Sequence, residues 1–285
     1  MLVYLNGQFL PREKATISID DRGLLFGDSL YEVIRSYDGF LFEKEAHWRR
    51  LQNGLATLRI EWPEFARLDD IAHHLLRENN LPETNATVYF QITRGAPGKR
   101  QHAFPAPPVS PTIFAAANFL QTNQSRAEHG VALITVPDVR WGRCDLKSTN
   151  LLPNVLANQQ AHEAGAEEAA FVRDGVVVEG SHSNVFAVLK GIVTTHPIAP
   201  ILLPGITRQV ALHLCARLRL PCSERAFTLG ELKRAEEVFL TFTSGEITPV
   251  VRVDRMVIGT GKPGALTRRL QEGFQEYVRA ARLAS

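Results

Sequence analysis

The sequence predicts an α+β fold with two domains, on three observations. Strand-like runs joined by Asn-Gly and Asp-Gly turns are mixed with helical segments, without the strict alternation of a doubly wound parallel sheet. The 285 residues suffice for two hydrophobic cores. A polar stretch at residues 121–130, QTNQSRAEHG, is the best linker candidate. We therefore expect an N-terminal α+β domain over residues 1–120, a linker over residues 121–130 and a C-terminal α/β domain over residues 131–285, which carries Lys147.

The elements of the first domain follow from local patterns. Asn6-Gly7 lies between VYL and QFL, and Asp38-Gly39 lies between YEVIRSY and FLFE, so each predicts a β-hairpin. The segments EAHWRRLQNGLATLRI and LDDIAHHLLREN carry apolar residues at helical spacing. Two further strands are expected in ATVYFQITRG and PTIFAAANFL.

The second domain is also predicted to mix strands and helices. VALITVPDV predicts a strand, and Asp174-Gly175 predicts another hairpin. Gly205 marks a turn into a helix, and EEVFLTFTSG predicts a strand that ends in small polar residues. The closing segment ALTRRLQEGFQEYVRAA predicts an amphipathic helix with its apolar face at Leu266, Leu270, Phe274 and Val278.

Composition narrows the functional classes. A net charge of +2 gives no reason to expect a nucleic-acid partner. No apolar run approaches the length of a membrane span, and no signal peptide is expected at the N-terminus. The three cysteines, Cys144, Cys215 and Cys222, lack metal-site spacing, so we expect no metal and a reducing, cytoplasmic location.

Lys147 is the first candidate for chemistry. It lies in RCDLKSTNLL, ahead of a helix predicted to begin near Pro153 and to be capped within residues 148–150. Apolar residues in LLPNVLA predict that this helix is buried. A cation is unfavourable near the positive N-terminus of a helix. Lys147 is therefore either a lysine with its ammonium group in water or an amine that acts as nucleophile and base.

The remaining candidates are weak individually. Glu179 ends a buried strand and either contacts a ligand or is simply solvated there. Gly205 precedes a helix whose first N–H groups, at Ile206 and Thr207, can bind phosphate, although an ordinary turn is the commoner reading. Thr243, in TFTSGE, is part of a second phosphate-facing turn or of a strand cap. Arg50, on the first helix, would by itself pass for a surface charge.

Together these features suggest a lysine nucleophile, an acid and several phosphate donors, as pyridoxal 5′-phosphate requires. Nearly the whole chain resembles the fold-type IV pyridoxal-phosphate enzymes, which include branched-chain aminotransferases, aminodeoxychorismate lyases and D-amino acid aminotransferases. The resemblance is carried, in order, by DRGLLFGDSLYEVIR, HWRRL, RCDLKSTNLLPNVLA, VVVEGSHSNVF, LLPGITR and EITPV. It implies the two-domain α+β architecture of that family.

The resemblance also implies roles for individual residues. Lys147 would carry the cofactor as a Schiff base and act as the catalytic base, and Glu179 would face the nitrogen of the pyridine ring. The other cofactor-binding residues would be Arg50, Ile206, Thr207 and Thr243 at the phosphate and Leu203 near the ring.

The loop TRGAPGKRQHAFP indicates which member of the family the chain is closest to. Arg100 and His102 are two residues apart, so in an extended segment both side chains point to one face and can bind an α-carboxylate. The alternative is a basic surface loop. The pair resembles the R-x-H motif with which D-amino acid aminotransferases, together with a tyrosine matching Tyr31, hold the substrate carboxylate.

The resemblance therefore implies transamination between a D-amino acid, such as D-alanine, and a 2-oxo acid, such as 2-oxoglutarate. An L-branched-chain aminotransferase or an aminodeoxychorismate lyase on the same scaffold is the alternative, and an unrelated globular protein is the third class. Because this loop reaches the neighbouring subunit's site in the family, a homodimer is implied. Two residues depart from the family pattern, His182 after Glu179 and Phe242 before Thr243.

Overall fold

A computed structural model describes residues 1–284, which form two compact units. The first unit comprises Met1–Gln121 and Leu146–Asn150, and the second comprises Thr122–Asp145 and the chain from Leu151 onward. The short segment that contains Lys147 groups with the first unit because its backbone pairs with a strand there, through a bridge between Ser148 and Leu30.

The first unit is built around an antiparallel sheet. Its elements are β1 (Leu2–Leu5), β2 (Gln8–Pro11), α1 (Arg22–Phe26), β3 (Ser29–Tyr37), β4 (Phe40–Leu41), α2 (Lys44–Leu58), α3 (Leu68–Glu78), β5 (Asn85–Thr93) and β6 (Thr112–Phe119). The strands are ordered β2-β1-β6-β5-β3-β4. Apolar residues of α2 and α3, such as Leu51 and Leu75, share a buried core with sheet residues such as Val88 and Phe90.

The predicted hairpins of this unit are confirmed. Leu5 pairs with Gln8 across Asn6-Gly7, and Tyr37 pairs with Phe40 across Asp38-Gly39. All four turn residues have positive φ, between 46° and 91°. A two-residue turn of this kind matches the twist of the flanking strands, and asparagine, aspartate and glycine adopt it at low cost.

The second unit contains a larger, mixed sheet. Its elements are α4 (Gln124–His129), β7 (Val131–Pro137), α5 (Leu152–Glu163), β8 (Glu168–Arg173), β9 (Val176–Gly180), β10 (Asn184–Leu189), β11 (Ile192–Thr195), α6 (Ile206–Arg217), β12 (Cys222–Glu224), β13 (Phe227–Thr228), α7 (Leu229–Lys233), β14 (Glu237–Phe242), β15 (Glu246–Val253), β16 (Met256–Val257) and α8 (Ala265–Leu283). The strand order is β12-β11-β10-β14-β15-β7-β8-β9-β13, and β16 pairs with β15.

Parallel and antiparallel pairs occur together in this sheet. β7 is parallel to β8 and to β15, whereas β10 is antiparallel to β11 and β14. The predicted α+β class is thereby confirmed. Helix α4 lies within the stretch predicted as a linker. Helix α8 buries Leu270, Phe274 and Val278, as its periodicity predicts.

The prediction that α5 is a buried helix is wrong. Leu152, Val155 and Leu156 are between 56% and 68% exposed, and the helix buries only Ala157 and Ala161. The small alanines contact the sheet, so the larger apolar side chains point away from it. The predicted cap is also wrong, because the N-cap residue is Leu151 and its side chain makes no capping hydrogen bond.

No helix within residues 1–284 combines the length and the apolar character that crossing a membrane requires.

Candidate active site

Lys147 is fixed to strand β3 of the first unit. The backbone N–H of Tyr31 donates to the carbonyl oxygen of Lys147 at 2.9 Å, and Thr149 N donates to the Ser29 carbonyl at 3.4 Å. The Nζ atom of Lys147 lies 4.2 Å from the centroid of the Tyr31 ring. Lys147 and Tyr31, both predicted as site residues, are therefore neighbours.

The amine of Lys147 has no acidic partner. The residue is half-buried, and within residues 1–284 no carboxylate oxygen lies within ion-pair distance of Nζ. An ordinary surface lysine is solvated, and a buried one is normally paired with an acid. A half-buried amine with no acidic partner among residues 1–284 is suited to the role of nucleophile and base.

Close to Lys147, a buried ion-pair network holds Arg50. Nε of Arg50 donates to Oε2 of Glu32 at 2.9 Å, and Nη2 donates to Oε1 at 2.7 Å. Nδ1 of His47 lies 3.0 Å from the same Oε1, and the Val33 N–H donates to it at 2.9 Å. We call Tyr31, Glu32, His47, Arg50 and Lys147 the lysine cluster. Arg50 is thus held in place by a bidentate pair of hydrogen bonds to Glu32.

Electrostatics keep Glu32 ionised. Burial alone would raise the pKa of the Glu32 carboxyl, but Arg50 and His47 hold it far below its ordinary value. Burial lowers the pKa of His47, and the positive charges of Arg50 and Lys147 lower it further, against the attraction of Glu32. At neutral pH the network therefore contains an ionised Glu32, a cationic Arg50 and a neutral His47.

Glu179 lies in a second network, within the second unit. Its Oε1 accepts a hydrogen bond from Nη1 of Arg140 at 2.5 Å. Its Oε2 accepts from the backbone N–H of Leu203 at 3.0 Å and from Nδ2 of Asn184 at 3.3 Å. Asn184 also donates to the Leu203 carbonyl at 3.0 Å. We call Asp138, Arg140, Glu179, Asn184 and Leu203 the glutamate cluster. It brings together Glu179 and Leu203, two predicted cofactor residues.

Arg140 is shared between two acids. Its Nε and Nη2 donate to the two oxygens of Asp138 at 2.9 and 3.1 Å, which leaves Nη1 for Glu179. Burial raises the pKa of Glu179 to about 7, and the nearby Asp138 adds to this, although Arg140 opposes the rise. The pKa of Arg140 is raised by the two acids in spite of its burial. Glu179 is therefore a buried carboxylate whose negative charge the chain compensates only in part.

The predicted phosphate donors are in two turns of the second unit. Helix α6 begins at Ile206 with Gly205 as its N-cap, and no side chain caps it. No side chain at the cap accepts a hydrogen bond from the first N–H groups of α6, which include that of the buried Thr207. A helix end that binds an anion needs its N–H groups uncapped in this way. Thr243 is half-buried and follows β14 directly, in the turn to β15.

Arg100 and His102 lie on the long connection between β5 and β6 in the first unit. The guanidinium carbon of Arg100 is 5.0 Å from the centroid of the Phe26 ring, and the His102 ring centroid is 5.4 Å from it. Both side chains are exposed. Within residues 1–284, no hydrogen bond or ring contact connects either of them to Tyr31 or Lys147. The structure thus brings the pair together but does not join it to Tyr31 of the same chain.

Sequence reasoning missed Glu32, His47 and Arg140. Glu32 had a usable signal, since it shares one face of β3 with the buried Leu30 and Ile34, and an acid on a buried face needs a cationic partner. Arg140 had no comparable signal, because its partner Glu179 is 39 positions further along the chain.

His182 and Phe242, the two residues that depart from the family pattern, contact each other. The rings of His182 and Phe242 meet edge to face, with centroids 5.0 Å apart. The backbone N–H of His182 donates to the buried Glu168 at 2.6 Å. A histidine here is thus accommodated by an aromatic neighbour.

Comparison with known proteins identifies relatives of the whole chain. The profile of a family described as Amino-transferase class IV matches residues 29–253. The D-alanine aminotransferase of Staphylococcus haemolyticus is 42% identical over 277 residues, which cover 97% of each chain. That of Staphylococcus epidermidis is 40% identical over 279 residues and 98% of each chain. That of Bacillus licheniformis is 40% identical over 280 residues, 98% of this chain and 97% of the relative.

Solved structures show the same fold. The branched-chain amino acid aminotransferase of Escherichia coli superposes with a TM-score of 0.89 at 27% identity, covering 96% of this chain and 93% of that one. The branched-chain aminotransferase of Thermoproteus uzoniensis, with norvaline, gives a TM-score of 0.85 at 26% identity and the same coverage. A third enzyme of this name, solved with pyridoxamine 5′-phosphate, gives a TM-score of 0.86 at 30% identity, again with the same coverage.

Proposed function

Because the chain belongs to the class IV aminotransferase family, we propose that it transfers the amino group of a D-amino acid such as D-alanine to a 2-oxo acid such as 2-oxoglutarate. Its family makes it a pyridoxal 5′-phosphate-dependent transferase. The D-specificity is carried by one observation, the 40–42% identity to D-alanine aminotransferases over nearly the full chain. The branched-chain aminotransferases are less similar in sequence, at 26–30% identity, and share mainly the fold.

The residues present are chemically suited to this cofactor. Lys147 offers a half-buried amine without an acidic partner, and α6 offers N–H groups at an end without a side-chain cap. Glu179 offers a buried carboxylate whose raised pKa marks an incompletely balanced charge. A covalent anchor, a phosphate-binding turn and a partner for a ring nitrogen are what pyridoxal 5′-phosphate needs.

Lys147 is proposed as the catalytic residue. Pyridoxal 5′-phosphate, when bound, supplies an aldehyde that condenses with amines and a ring that accepts electrons. The Lys147 amine would hold the cofactor and, once the amino substrate takes its place, remove the proton from the substrate Cα. Tyr31 contacts Lys147 and holds the amine over its aromatic face.

Glu179 is proposed as the partner of the pyridine nitrogen, with Leu203 near the ring. Two neutral donors, Asn184 and the Leu203 N–H, orient its Oε2. A cation beside Glu179 would lower the pKa of its carboxyl from about 7, so that the charged form persists at neutral pH. Arg50, Ile206, Thr207 and Thr243 are proposed as phosphate ligands, with Arg50 oriented by Glu32.

Arg100, His102 and Tyr31 are proposed to bind the substrate α-carboxylate. The exposed Arg100 and His102 make no contact with Tyr31 of their own chain, which supports a homodimer in which the loop serves the neighbouring subunit. The exposed apolar face of α5, formed by Leu152, Val155 and Leu156, also supports a subunit contact. The three cysteines are free thiols, which is compatible with the proposed cytoplasmic location.

The direct test of substrate class is an assay with D-alanine and L-alanine, each against 2-oxoglutarate. We expect pyruvate formation with D-alanine and much less with L-alanine. A preference for L-alanine, or for L-leucine over both, would instead support the branched-chain alternative.

The role of Lys147 is tested by Lys147→Ala. We expect loss of the borohydride-reducible link between protein and cofactor and a fall in turnover of at least about 10⁴-fold, the scale seen when a catalytic nucleophile is removed. Peptide mapping of the reduced wild-type protein should place the label on Lys147. A label on any other lysine would contradict the assignment.

A further inference from the structure

The loop that carries Arg100 and His102 is anchored through its backbone by one buried arginine. Nη1 of Arg22 donates to the carbonyl oxygens of Gln101 and Ala103 at 2.5 and 3.2 Å, and Nη2 donates to the carbonyl of His102 at 3.1 Å. Three consecutive carbonyls are thus held by a single guanidinium group. Arg22 itself is 4% exposed.

Arg22 is in turn fixed by an acid. Its Nε donates to Oδ2 of Asp28 at 2.8 Å, and Arg94 donates to both oxygens of the same carboxylate at 2.7 and 2.9 Å. Burial alone would raise the pKa of Asp28, but Arg94 and Arg22 hold it below its ordinary value. The carboxylate therefore stays charged at neutral pH and keeps both arginines in place.

The far side of the loop is also attached. The ring of Phe104 is covered by the guanidinium group of Arg94, with Cζ 3.5 Å from the ring centroid, and by that of Arg59, at 4.7 Å. Residues 94–111 join β5 to β6 without a helix or strand of their own. A connection of this length is usually functional or disordered, and here residues 101–103 are bound through their carbonyls and Phe104 through its ring.

The anchoring concerns the backbone and leaves the side chains of interest exposed. Arg100 and His102 point outward and share the ring of Phe26, which Arg22 also contacts with Cζ 4.8 Å from the centroid. An exposed arginine and histidine presented on a fixed backbone are suited to binding a ligand with defined geometry.

We propose that Arg22 is a positioning residue for substrate recognition, which holds the loop so that Arg100 and His102 meet the α-carboxylate together. This inference rests on the proposed function, in which those two side chains bind the carboxylate. Arg22 acts through the loop backbone and does not itself contact the substrate. Its effect is therefore confined to substrates with a carboxylate and cannot exceed the effect of removing Arg100 and His102 together.

The first test compares two substrates in the holoenzyme. Arg22→Lys keeps a cation beside Asp28 but lacks the planar fork that reaches three carbonyls. Isopropylamine is D-alanine with a methyl group in place of the carboxylate. We expect Arg22→Lys to lower kcat/KM for D-alanine about tenfold, mainly through KM, within the 10- to 150-fold range of Arg100→Leu. For isopropylamine, kcat/KM should change less than about twofold. Arg22→Lys should add nothing to a variant that combines Arg100→Leu with His102→Ala, because both side chains that it positions are then absent.

The second test measures the loop directly by limited trypsin digestion, with mass spectrometry used to follow cleavage after the exposed Lys99 and Arg100. In Arg22→Lys these two peptide bonds should be cleaved faster than in the wild type, because a loop released from its anchor is a better protease substrate. The matched control is Arg268→Lys, since Arg268 also donates to two backbone carbonyls, those of Ala127 and Glu128 in the second unit. This control should leave both the loop cleavage and kcat/KM unchanged.

The outcomes distinguish a failure of the proposed carboxylate site from a failure of the positioning role of Arg22 alone. If Arg100→Leu impairs both substrates equally, the proposed carboxylate site fails and the positioning role fails with it. If Arg100→Leu is selective for D-alanine while Arg22→Lys matches Arg268→Lys in loop cleavage and kinetics, only the positioning role is overturned. Equal losses for D-alanine and isopropylamine in Arg22→Lys would also overturn it, because they would indicate general misfolding.

Discussion

The two units each contain a buried glutamate paired with an arginine, yet the pKa values of the two carboxyl groups shift in opposite directions. Glu32 of the lysine cluster and Glu179 of the glutamate cluster are 0% and 5% exposed. The pKa of Glu32 is held far below its ordinary value, whereas that of Glu179 is raised to about 7. Burial raises both, so the difference comes from their partners.

The partners differ in how much charge they supply. Glu32 receives two donors from Arg50, and further bonds from His47 and the Val33 N–H. Glu179 receives one donor from Arg140, which gives its other donors to Asp138, and two neutral donors. A carboxylate whose charge is fully balanced by donors of its own chain stabilises the fold. A carboxylate left partly uncompensated is suited to a cationic ligand atom, such as a protonated ring nitrogen.

The largest expected effect is on stability. Glu32→Gln should reduce the free energy of unfolding by about 3–5 kcal/mol, because it removes the buried charge that pairs with Arg50 and His47. Urea denaturation at pH 7 measures this. Glu179→Gln is the control and should cost much less at that pH, where Glu179 in the cofactor-free protein is about half protonated. Equal losses in the two variants would contradict the contrast between the clusters.

The two glutamates should also give stability opposite dependences on pH. Since the pKa of Glu179 is raised from 4.5 to about 7, the folded protein binds a proton that the unfolded chain has released between these values. The contribution of Glu179 to the free energy of unfolding is therefore fully present below pH 4.5. It falls by at most about 3 kcal/mol as the pH rises to 7. Glu32, with a lowered pKa, contributes fully above pH 4.5 and loses stability as the pH falls below it.

This dependence is measured by denaturation of the cofactor-free protein from pH 4 to pH 8. The wild type should lose stability relative to Glu179→Gln as the pH rises across the window, and Glu32→Gln should retain the wild-type trend there. A wild type that instead gained stability relative to Glu179→Gln with rising pH would contradict the assignment.

The partly uncompensated charge of Glu179 should also matter for catalysis, with a smaller effect in free energy than Glu32→Gln has on stability. Glu179→Gln should bind the cofactor but slow turnover on the order of 100-fold, the size of effect seen when a preorganised electrostatic group is removed. Single-turnover absorbance measures the deprotonation step. Glu64→Gln, which breaks an exposed ion pair with Arg67, is the control and should change the rate little. An unchanged deprotonation rate in Glu179→Gln would exclude a role at the ring.

The smallest effect is expected on the loop, where no buried pair is broken. Arg100→Leu should lower kcat/KM for D-alanine by about 10- to 150-fold, or 1.5–3 kcal/mol, with the cofactor absorbance unaffected. Lys99→Leu removes the adjacent charge and should have little effect. If both variants lose the same amount, the loop acts through its overall charge, and the specific contact of Arg100 is refuted.

Local patterns predicted the fold well, for physical reasons. The Asn6-Gly7 and Asp38-Gly39 hairpins follow from turn residues that adopt positive φ, which depends on no distant contact. Helix α5 was predicted correctly as a helix but wrongly as buried. Periodicity identifies the apolar face of a helix, but only the fold decides whether that face or a smaller one, here Ala157 and Ala161, meets the sheet.

The candidate site could be predicted only where a residue type was informative by itself. Lys147 and Glu179 stood out from their neighbours in sequence. The features that distinguish Glu32 from Glu179 arise from pairing over 18 and 39 positions, which no local pattern encodes. The same holds for Arg22, whose bonds reach carbonyls about 80 positions further along.

The most direct test of this contrast is a carboxyl titration by carbon-detected NMR on cofactor-free protein with labelled glutamate. The resonances are assigned by comparison with Glu32→Gln and Glu179→Gln. We predict that Glu179 titrates near pH 7 and that Glu32 remains ionised down to the lowest pH at which the protein stays folded. A Glu179 pKa at or below 4.5 would show that Arg140 fully compensates its charge and would contradict the proposed distinction between the two clusters.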